Sequence, residues 1–198
     1  MKVVGLCGQS GSGKGLICSL FSKINVISID TDKVYHDIIS VNSDCTRELA
    51  SAFGETVILD QGINRKELAR LVFSSKEKLD LLNEITHRHI LDKVRSEIER
   101  INAENQFDGI IVDAPLLFES GFDKECDATI AVVADDQRKI SRITMRDGIT
   151  VEHAIKRLSS QISDTELKKR CDYIIVNNSD DVEELVEKVS DLKKIIFD

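Results

Sequence analysis

Short apolar runs alternate with amphipathic segments along much of the chain. The runs are too short for helices and carry no polar face, as expected of buried strands in a parallel sheet; they span residues 3–7, 26–29, 109–113, 127–134 and 173–176. Apolar residues at helical spacing follow several runs, most clearly over residues 14–24 and 182–196. The pattern predicts an α/β fold with a five-stranded parallel sheet flanked by helices.

The region from about residue 41 to residue 105 has a different pattern. Amphipathic helices are predicted at residues 47–53 and 65–73 and from residue 76 towards 101, with no clear strand between them. The pattern predicts a helical insertion in this region. Phe53, Arg65 and His87 lie in it and offer an aromatic ring and cations to an anionic substrate, although each taken singly is more often ordinary surface chemistry.

A glycine-rich segment separates the first predicted strand from the first predicted helix. Gly8, Gly13 and Lys14 have the G-x-x-x-x-G-K spacing, in which glycines allow positive φ and expose backbone N–H groups to phosphate. The strand before it and the helix after it are the context that this motif requires. Gly15 stands where Ser or Thr normally ligates Mg²⁺. The sequence therefore predicts a phosphate-binding loop that lacks one metal ligand.

Carboxylates follow two of the predicted strands. Asp32 lies just beyond the second strand and Asp113 ends the third, and the carboxyl ends of parallel strands share the edge where ligands bind. Asp32 is thus a site candidate, and Asp113 resembles the acid that holds the hydration shell of Mg²⁺ in phosphate-loop enzymes. The alternatives are that Asp30 or Thr31 caps the next helix and that Asp113 caps a turn. A cap and a catalytic acid can be neighbours.

Arginines are concentrated after the fourth predicted strand. Arg142 and Arg146 are four residues apart and share a helix face, and with Arg157 they are candidates to close over a triphosphate. The alternative is a solvated helix face, which is the usual explanation for a run of charges.

Composition narrows the partners. The chain has 27 Lys and Arg against 35 Asp and Glu, and its net charge of -8 disfavours binding to nucleic acid. Five scattered cysteines without a C-x-x-C pair indicate reduced thiols. There is no signal-peptide pattern and no uncharged apolar run of about 18 residues. We expect a cytoplasmic protein that binds neither nucleic acid nor membrane.

The motifs occur in a fixed order along nearly the whole chain: residues 8–14, residues 29–32, Phe53-Gly54, Asp60-x-Gly62-x-x-Arg65, His87, residues 113–119, residues 142–146, Arg157 with Gln161, and Asp172 with Asn177. In this order the sequence resembles the dephospho-CoA kinase family. The resemblance implies transfer of a phosphoryl group from ATP, with Mg²⁺, to the ribose 3′-hydroxyl of dephospho-CoA. The products are CoA and ADP, and this is the last step of CoA biosynthesis.

The resemblance also implies an architecture. It is a phosphate-loop, nucleoside-kinase-like fold of three layers in a single domain over residues 1–198. Its core comprises residues 1–40, 106–134 and 171–198, its CoA-binding helical insertion about 41–105, and its lid about 135–170. We expect a monomer or a weak homo-oligomer.

Residue roles follow from the same resemblance. The catalytic group comprises Asp32 as the base facing the ribose hydroxyl and, as stabilisers of the transferring phosphoryl, Lys14, Arg142 and Arg146. The residues implied for ATP are Gly8, Ser10, Gly11, Ser12, Gly13, Lys14, Gly15, Leu16, Arg142, Arg157 and Asn177, the last near adenine. Those implied for dephospho-CoA are Asp32, Phe53, Arg65, His87, Pro115, Leu116, Leu117 and Glu119. Asp113 is implied to bind Mg²⁺ through water.

Three residues depart from the family pattern. Gly15 removes a hydroxyl ligand of Mg²⁺, Arg88 replaces a proline after His87, and Lys139 replaces a glutamine three residues before Arg142. Of these, only Gly15 threatens activity, although water can take the place of a missing ligand because Mg²⁺ commonly keeps several waters. Two alternative functions remain at this point: another small-molecule, nucleoside or nucleotide kinase of the same architecture, and a non-catalytic protein that binds a nucleotide or CoA.

Overall fold

The computed structural model describes residues 1–40, 43–59, 62–179 and 181–197. The strands are β1 (Lys2–Cys7), β2 (Val26–Asp30), β3 (Ile58–Leu59), β4 (Gly62–Ile63), β5 (Gly109–Asp113), β6 (Ala128–Val133) and β7 (Tyr173–Val176). The α-helices are α1 (Lys14–Ser22), α2 (Thr31–Ile38), α3 (Asp44–Phe53), α4 (Arg65–Val72), α5 (Lys76–Glu104), α6 (Asp136–Asp147), α7 (Val151–Ser159), α8 (Asp164–Arg170) and α9 (Val182–Phe197). Short 3₁₀ helices span Glu55–Val57 and Phe122–Glu125.

Five strands form one sheet in the order β2-β5-β1-β6-β7. The central strand β1 is parallel to both neighbours, and its Leu6 lies opposite Asp113 on one side and Ile130 on the other. All five predicted strands are present within one residue of their predicted limits. The predicted α/β fold with a five-stranded parallel sheet flanked by helices is confirmed.

The order of the strands marks one end of β1 as a ligand site. The chain places β2 and β5 on one side of β1 and then β6 and β7 on the other. In open α/β sheets, ligands bind outside the carboxyl ends of the strands where the order reverses in this way. The glycine-rich loop that leaves β1 begins at this point.

The root of that loop is held by a continuous apolar core. Val4 and Leu6 of β1 and Ile17 and Phe21 of α1 are fully buried, and α9 adds residues such as Leu185 to the same cluster. Burying each large apolar side chain contributes about 1.5–3 kcal/mol relative to exposure. The strand before the loop and the helix after it are therefore fixed against the same core.

The chain divides into two compact units: the first comprises Met1–Ile29 and Glu104–Asp198, and the second Asp30–Ala103. The second unit begins earlier than the predicted limit at about residue 41. The reason is that Tyr35 and Ile38 of α2 pack with Leu49 and Ile85 of the helical region. Residues 135–170 lie in the first unit, and their action as a lid remains a prediction.

The second unit contains a feature that the sequence pattern missed. β3 and β4 form a short antiparallel ribbon in which Ile58 lies opposite Ile63 and Leu59 opposite Gly62. The prediction that this region has no strand is wrong, because strands of two residues are too short for alternation to be visible. Asp60, which belongs to the family motif around Arg65, lies outside the described residues.

Within the described residues, no helix is both long and apolar enough to cross a bilayer.

Candidate active site

The loop after β1 has the backbone conformation that its glycines predict. Gly13 precedes α1 in the left-handed region at φ 98°. Helix α1 begins at Lys14, and the first N–H groups of any α-helix have no partner within the helix. These groups and the positive end of the helix dipole point towards the loop, which is the arrangement that binds phosphate.

Asn177, the residue after β7, is hydrogen-bonded to the backbone of the loop. Its side chain is 2% exposed, and its Nδ2 donates a hydrogen bond of 2.7 Å to the carbonyl oxygen of Ser12. Its backbone N–H donates to the carbonyl oxygen of Val133 at 2.8 Å. The resemblance implied a contact with adenine, but in this structure the side chain is enclosed. We assign it to holding the loop instead.

Lys14 and Asp113 come together at the base of the loop. Lys14 Nζ lies 3.9 Å from Asp113 Oδ1 and donates to the carbonyl oxygen of Gly8 at 3.2 Å. The two side chains are 15% and 17% exposed. They meet because β5 lies beside β1, which sets Asp113 opposite Leu6. The base of the loop therefore holds an ammonium group and a carboxylate in one half-buried pair.

The space beside Gly15 is open. A Cβ atom built on Gly15 meets no heavy atom within 4 Å, and the residue is exposed in the first turn of α1. No other side chain of the described residues has taken the place of the usual hydroxyl. The departure at Gly15 thus removes a ligand without blocking its site.

The carboxylate beside the loop is a ligand type that Mg²⁺ accepts. Among the described residues there is no group of three or more His, Cys, Asp or Glu side chains able to hold a metal ion. Mg²⁺ is usually bound by one or two carboxylates together with substrate phosphates and waters, without a protein cage. Asp113 beside the phosphate loop fits this mode of binding.

Arg142 of α6 is the arginine that reaches the loop. Its Nη1 donates to the carbonyl oxygens of Gly11 at 3.1 Å and Ser12 at 3.4 Å, and its Nη2 to the carbonyl oxygen of Asn177 at 3.4 Å. The guanidinium adds a second cation to the loop that Lys14 serves. Its role in binding phosphate remains a prediction.

Arg146 and Arg157 meet elsewhere. Both bind the carboxylate of Asp147, Arg146 through Nε at 2.7 Å and Arg157 through Nη1. The hydrogen bond from Arg146, followed by that from Arg157, holds the pKa of Asp147 well below its usual range. The structure therefore joins two of the three predicted lid arginines through a carboxylate that the sequence analysis did not consider, and it places only Arg142 at the loop.

The segment after Asp113 combines packing and exposure. Leu117 is fully buried, and a Cβ atom on Gly5 would lie 2.8 Å from its methyl groups. We therefore assign Leu117 to packing under β1 and not to substrate contact. Leu116 is 51% exposed, Pro115 is half-buried and Glu119 is exposed, so these three remain accessible. The guanidinium of Arg170 stacks on Phe118 at 3.9 Å.

The second unit carries the predicted base. Asp30 caps α2, because its Oδ1 accepts hydrogen bonds from the backbone N–H groups of Asp32 at 3.0 Å and Lys33 at 3.2 Å. Asp32 itself is exposed in the first turn of α2. Capping thus occupies the neighbouring carboxylate and leaves that of Asp32 available for chemistry.

The other predicted substrate residues of this unit have mixed surroundings. Arg65 contacts His36 Nδ1 at 2.9 Å on the exposed surface, and His87 is half-buried in α5. Phe53 packs against both apolar clusters of the unit, so part of its ring serves the core. Arg88, which departs from the family pattern, binds Glu48 together with His89, whose Nε2 lies 2.8 Å from that carboxylate.

Sequence reasoning missed the importance of Lys139. Its side chain is only 1% exposed, and its Nζ binds Gln9 Oε1 at 2.5 Å, Asp136 at 2.8 Å and Asp164 at 2.8 Å. The available signal was the replacement of the family's glutamine by a residue that is rarely buried. A charged residue three positions from an arginine on a polar helix nevertheless looks like surface, and only the packing shows otherwise.

A glycine-rich loop at the reversal point of a parallel sheet, with a lysine and a strand-end aspartate at its base, is the arrangement of phosphate-loop proteins that bind nucleoside triphosphates. A family model described as dephospho-CoA kinase matches residues 2–183. The chain belongs to the dephospho-CoA kinase family.

Individual relatives agree with this assignment. The dephospho-CoA kinase of Fusobacterium nucleatum is 38% identical over 188 residues, which cover 94% of each chain. That of Lactobacillus johnsonii is 34% identical over 190 residues, covering 96% of this chain and 95% of the relative. The solved dephospho-CoA kinase from Campylobacter jejuni is 27% identical and has a TM-score of 0.70, with 100% of this chain and 98% of that chain covered. Neither alternative function finds support in these relatives.

Proposed function

We propose that this protein transfers the γ-phosphoryl group of ATP to the ribose 3′-hydroxyl of dephospho-CoA and releases CoA and ADP. The observation that carries the proposal is the Lys14–Asp113 pair at the base of the phosphate loop, in a chain whose match to the family extends over residues 2–183. Lys14 supplies the cation for the β- and γ-phosphates, and Asp113 the carboxylate for the divalent ion.

The residues of the first unit stabilise the charge of the transferring group. The loop amides and the first turn of α1 face the phosphates, while Lys14 and Arg142 add two cations. Asp113 is the residue we assign to the hydration shell of Mg²⁺, which when bound would supply positive charge to offset that of the ATP phosphates. We assign Arg146 and Arg157 to the lid, where they move from Asp147 to the phosphates on closure.

The second unit supplies the acceptor side. Asp32 accepts or orients the proton of the ribose 3′-hydroxyl while the hydroxyl oxygen attacks the γ-phosphorus. We assign Arg65 as a cation and His87 as a polar contact by the dephospho-CoA site, with the exposed part of Phe53 as an apolar contact. Pro115, Leu116 and Glu119 of the first unit are assigned to the same substrate.

The state of the cysteines supports a cytoplasmic location. All five are free of disulfides. Persistent thiols of this number are typical of a reducing compartment. We infer that the protein acts in the cytoplasm as a monomer or weak homo-oligomer.

The test compares acceptors and acids. Purified protein with ATP and Mg²⁺ should release ADP rapidly with dephospho-CoA and only slowly with nucleosides or nucleoside monophosphates. Asp32→Asn should lower kcat by about 100-fold or more, since losing a general base typically costs 10²–10⁴-fold. Asp37→Asn, a change of the same kind at an exposed position of α2, is the matched control. Undiminished turnover in Asp32→Asn would exclude Asp32 as the base, and preference for a nucleoside acceptor would exclude the proposed substrate.

A further inference from the structure

Lys139 is a buried charge to which the phosphoryl-transfer scheme gives no role. It lies in α6 three residues before Arg142, and 1% of its side chain is exposed. Lysine is almost never fully buried unless it is paired, because desolvating an ammonium group costs several kcal/mol. The contacts that offset this cost identify what the residue holds in place.

The ammonium group is fully partnered. Its three N–H donors face three acceptors: Gln9 Oε1 at 2.5 Å, Asp136 Oδ1 at 2.8 Å and Asp164 Oδ2 at 2.8 Å. Asp136 is 80% exposed, so water weakens that ion pair, whereas Asp164 is 19% exposed. The Lys139–Asp164 pair is therefore the stronger electrostatic link, and Asp164 is the first residue of α8.

Gln9 carries the link into the phosphate loop. Its side chain is bonded at both ends, because Oε1 accepts from Lys139 and Nε2 donates to the carbonyl oxygen of Leu158 at 3.1 Å. The next residue is held as well, since the backbone N–H of Ser10 donates to Gln161 Oε1 at 2.9 Å. The outer edge of the loop is thus fixed to residues that belong to the predicted lid segment.

The loop also packs directly on the backbone of Lys139. A Cβ atom on Gly11 would lie 2.6 Å from the carbonyl oxygen of Lys139, and Gly11 has φ +77°. No side chain separates the loop from α6 at this point. Because the two backbones are in direct contact, a shift of α6 should also shift the loop.

We propose that Lys139 is a positioning residue for ATP: it holds the phosphate loop in its binding conformation through Gln9 and ties the loop to α8 through Asp164. This proposal deepens the proposed function and rests on it for the identity of the nucleotide. Lys139 acts through Gln9 and the loop backbone without touching the phosphates. Displacing groups that position a substrate by about 1 Å can cost about 100-fold in rate.

Lysine suits this place for a reason that its glutamine counterpart does not share. Glutamine can donate to Gln9 but carries no charge to neutralise the carboxylate of Asp164. One oxygen of that carboxylate, Oδ1, is buried and has no hydrogen-bond partner among the described residues. In this chain, Lys139 and Asp164 therefore form a matched pair, and changing one alone leaves the other without its least exposed charged partner.

The experiment is a double-mutant cycle on the full-length protein, with Lys139→Gln, Asp164→Asn and the double variant. The dissociation constant of ATP is measured by calorimetry, and KM for ATP and for dephospho-CoA by turnover. We expect Lys139→Gln to raise the ATP dissociation constant and KM on the order of tenfold, with KM for dephospho-CoA unchanged. The double variant should bind ATP better than the two single effects added together predict. Lys156→Gln, at an exposed position of α7, is the control.

Several outcomes would overturn the proposal. One is unchanged ATP binding in Lys139→Gln when its melting temperature has fallen, since the lysine would then be structural only. Another is strict additivity in the cycle, which would remove the link through Asp164. If Lys139→Gln does not fold, Asp164→Asn decides alone, because it removes the tie to α8 that the proposal requires; ATP affinity equal to wild type would then count against the proposal. Calorimetry needs no phosphoryl transfer, so a failed acceptor assay beside a clear ATP-binding defect would reject the proposed substrate and keep the role of Lys139.

Discussion

The Nδ2 atom of Asn177 occupies the space that a side chain on Gly13 would need: a Cβ atom there would lie 2.1 Å from it. Gly13 also has φ +98°, which residues with a side chain rarely adopt. The same Asn177 nitrogen bonds Ser12 at 2.7 Å. Asn177 therefore leaves no room for a side chain at Gly13 and, with the same nitrogen, holds the carbonyl of Ser12 in place.

Gly13→Ala should therefore weaken ATP binding by about 10–100-fold. The methyl group must displace Asn177, so the Ser12 carbonyl loses the shorter of its two hydrogen bonds and keeps only the one from Arg142 at 3.4 Å. Calorimetric titration with ATP measures the effect. Gly121→Ala is the matched control, because Gly121 has φ +75° but no heavy atom within 4 Å of its Cβ position. It should lower the melting temperature and leave ATP affinity intact, and an equal loss of affinity in both variants would contradict the role of Asn177.

Gly15→Ser should strengthen the binding of Mg²⁺ at the site. The space beside Gly15 is open, so a serine hydroxyl can enter it without displacing another side chain. We expect the Mg²⁺ concentration for half-maximal turnover to fall by about tenfold, the lower end of the range for partners that support a bound metal. A magnesium titration of activity checks this result.

Gly15→Ala separates the hydroxyl from the added carbon. The alanine variant adds the Cβ atom and restricts the backbone as serine does, but it carries no hydroxyl. The difference between the serine and alanine variants in Mg²⁺ dependence is therefore due to the hydroxyl. Identical magnesium titrations for the two would show that water already fills the role.

Arg142 should depend on the shape of its guanidinium as well as on its charge. It spans the carbonyl oxygens of Gly11, Ser12 and Asn177, and a lysine has a single nitrogen with which to reach them. Arg142→Ala should lower kcat by about 100-fold, as is typical when one preorganised donor to the transition state is lost. Arg142→Lys should recover only part of this loss. Full recovery in steady-state assays would mean that charge alone suffices.

Features of this fold that leave a local pattern in the sequence were predictable, and features that leave none were not. The strands and the loop were predictable because apolar runs and the spacing of Gly8, Gly13 and Lys14 are local patterns. The ribbon at Ile58 and Ile63 was not, because its pairing is too short to leave a pattern.

Burial of polar side chains was the other limit. Lysine and asparagine side chains usually lie at the surface or bind ligands. Lys139 and Asn177 are nevertheless buried beside the loop, in contact with segments distant in the chain. The same limit applies to Leu117, whose motif marks it as functional although it packs under Gly5. A motif gives the residues of a site, whereas only tertiary packing separates those that touch a ligand from those that hold them.

Cys171 should be the more reactive member of a thiol pair with Cys7. Their Sγ atoms lie 3.5 Å apart. The hydrogen bond from the Cys7 thiol lowers the pKa of Cys171, whereas the same contact, together with burial, raises the pKa of Cys7. Burial raises the pKa of Cys45 to about 11 and that of Cys126 to about 12. Since the thiolate is the nucleophile, iodoacetamide near neutral pH should modify Cys171 before Cys7, Cys45 or Cys126.

The pH dependence of that reaction tests the cause. A lowered pKa means that the thiolate of Cys171 is present at lower pH, so its alkylation rate should rise and level off below the pH at which an ordinary thiol does. Cys7→Ala removes the donor and should move this profile to higher pH, while Cys45→Ala, in the second unit, should leave it in place. Peptide mass spectrometry after brief alkylation at a series of pH values measures both profiles. A profile for Cys171 that does not move in Cys7→Ala would show that its reactivity comes from exposure and not from the contact with Cys7.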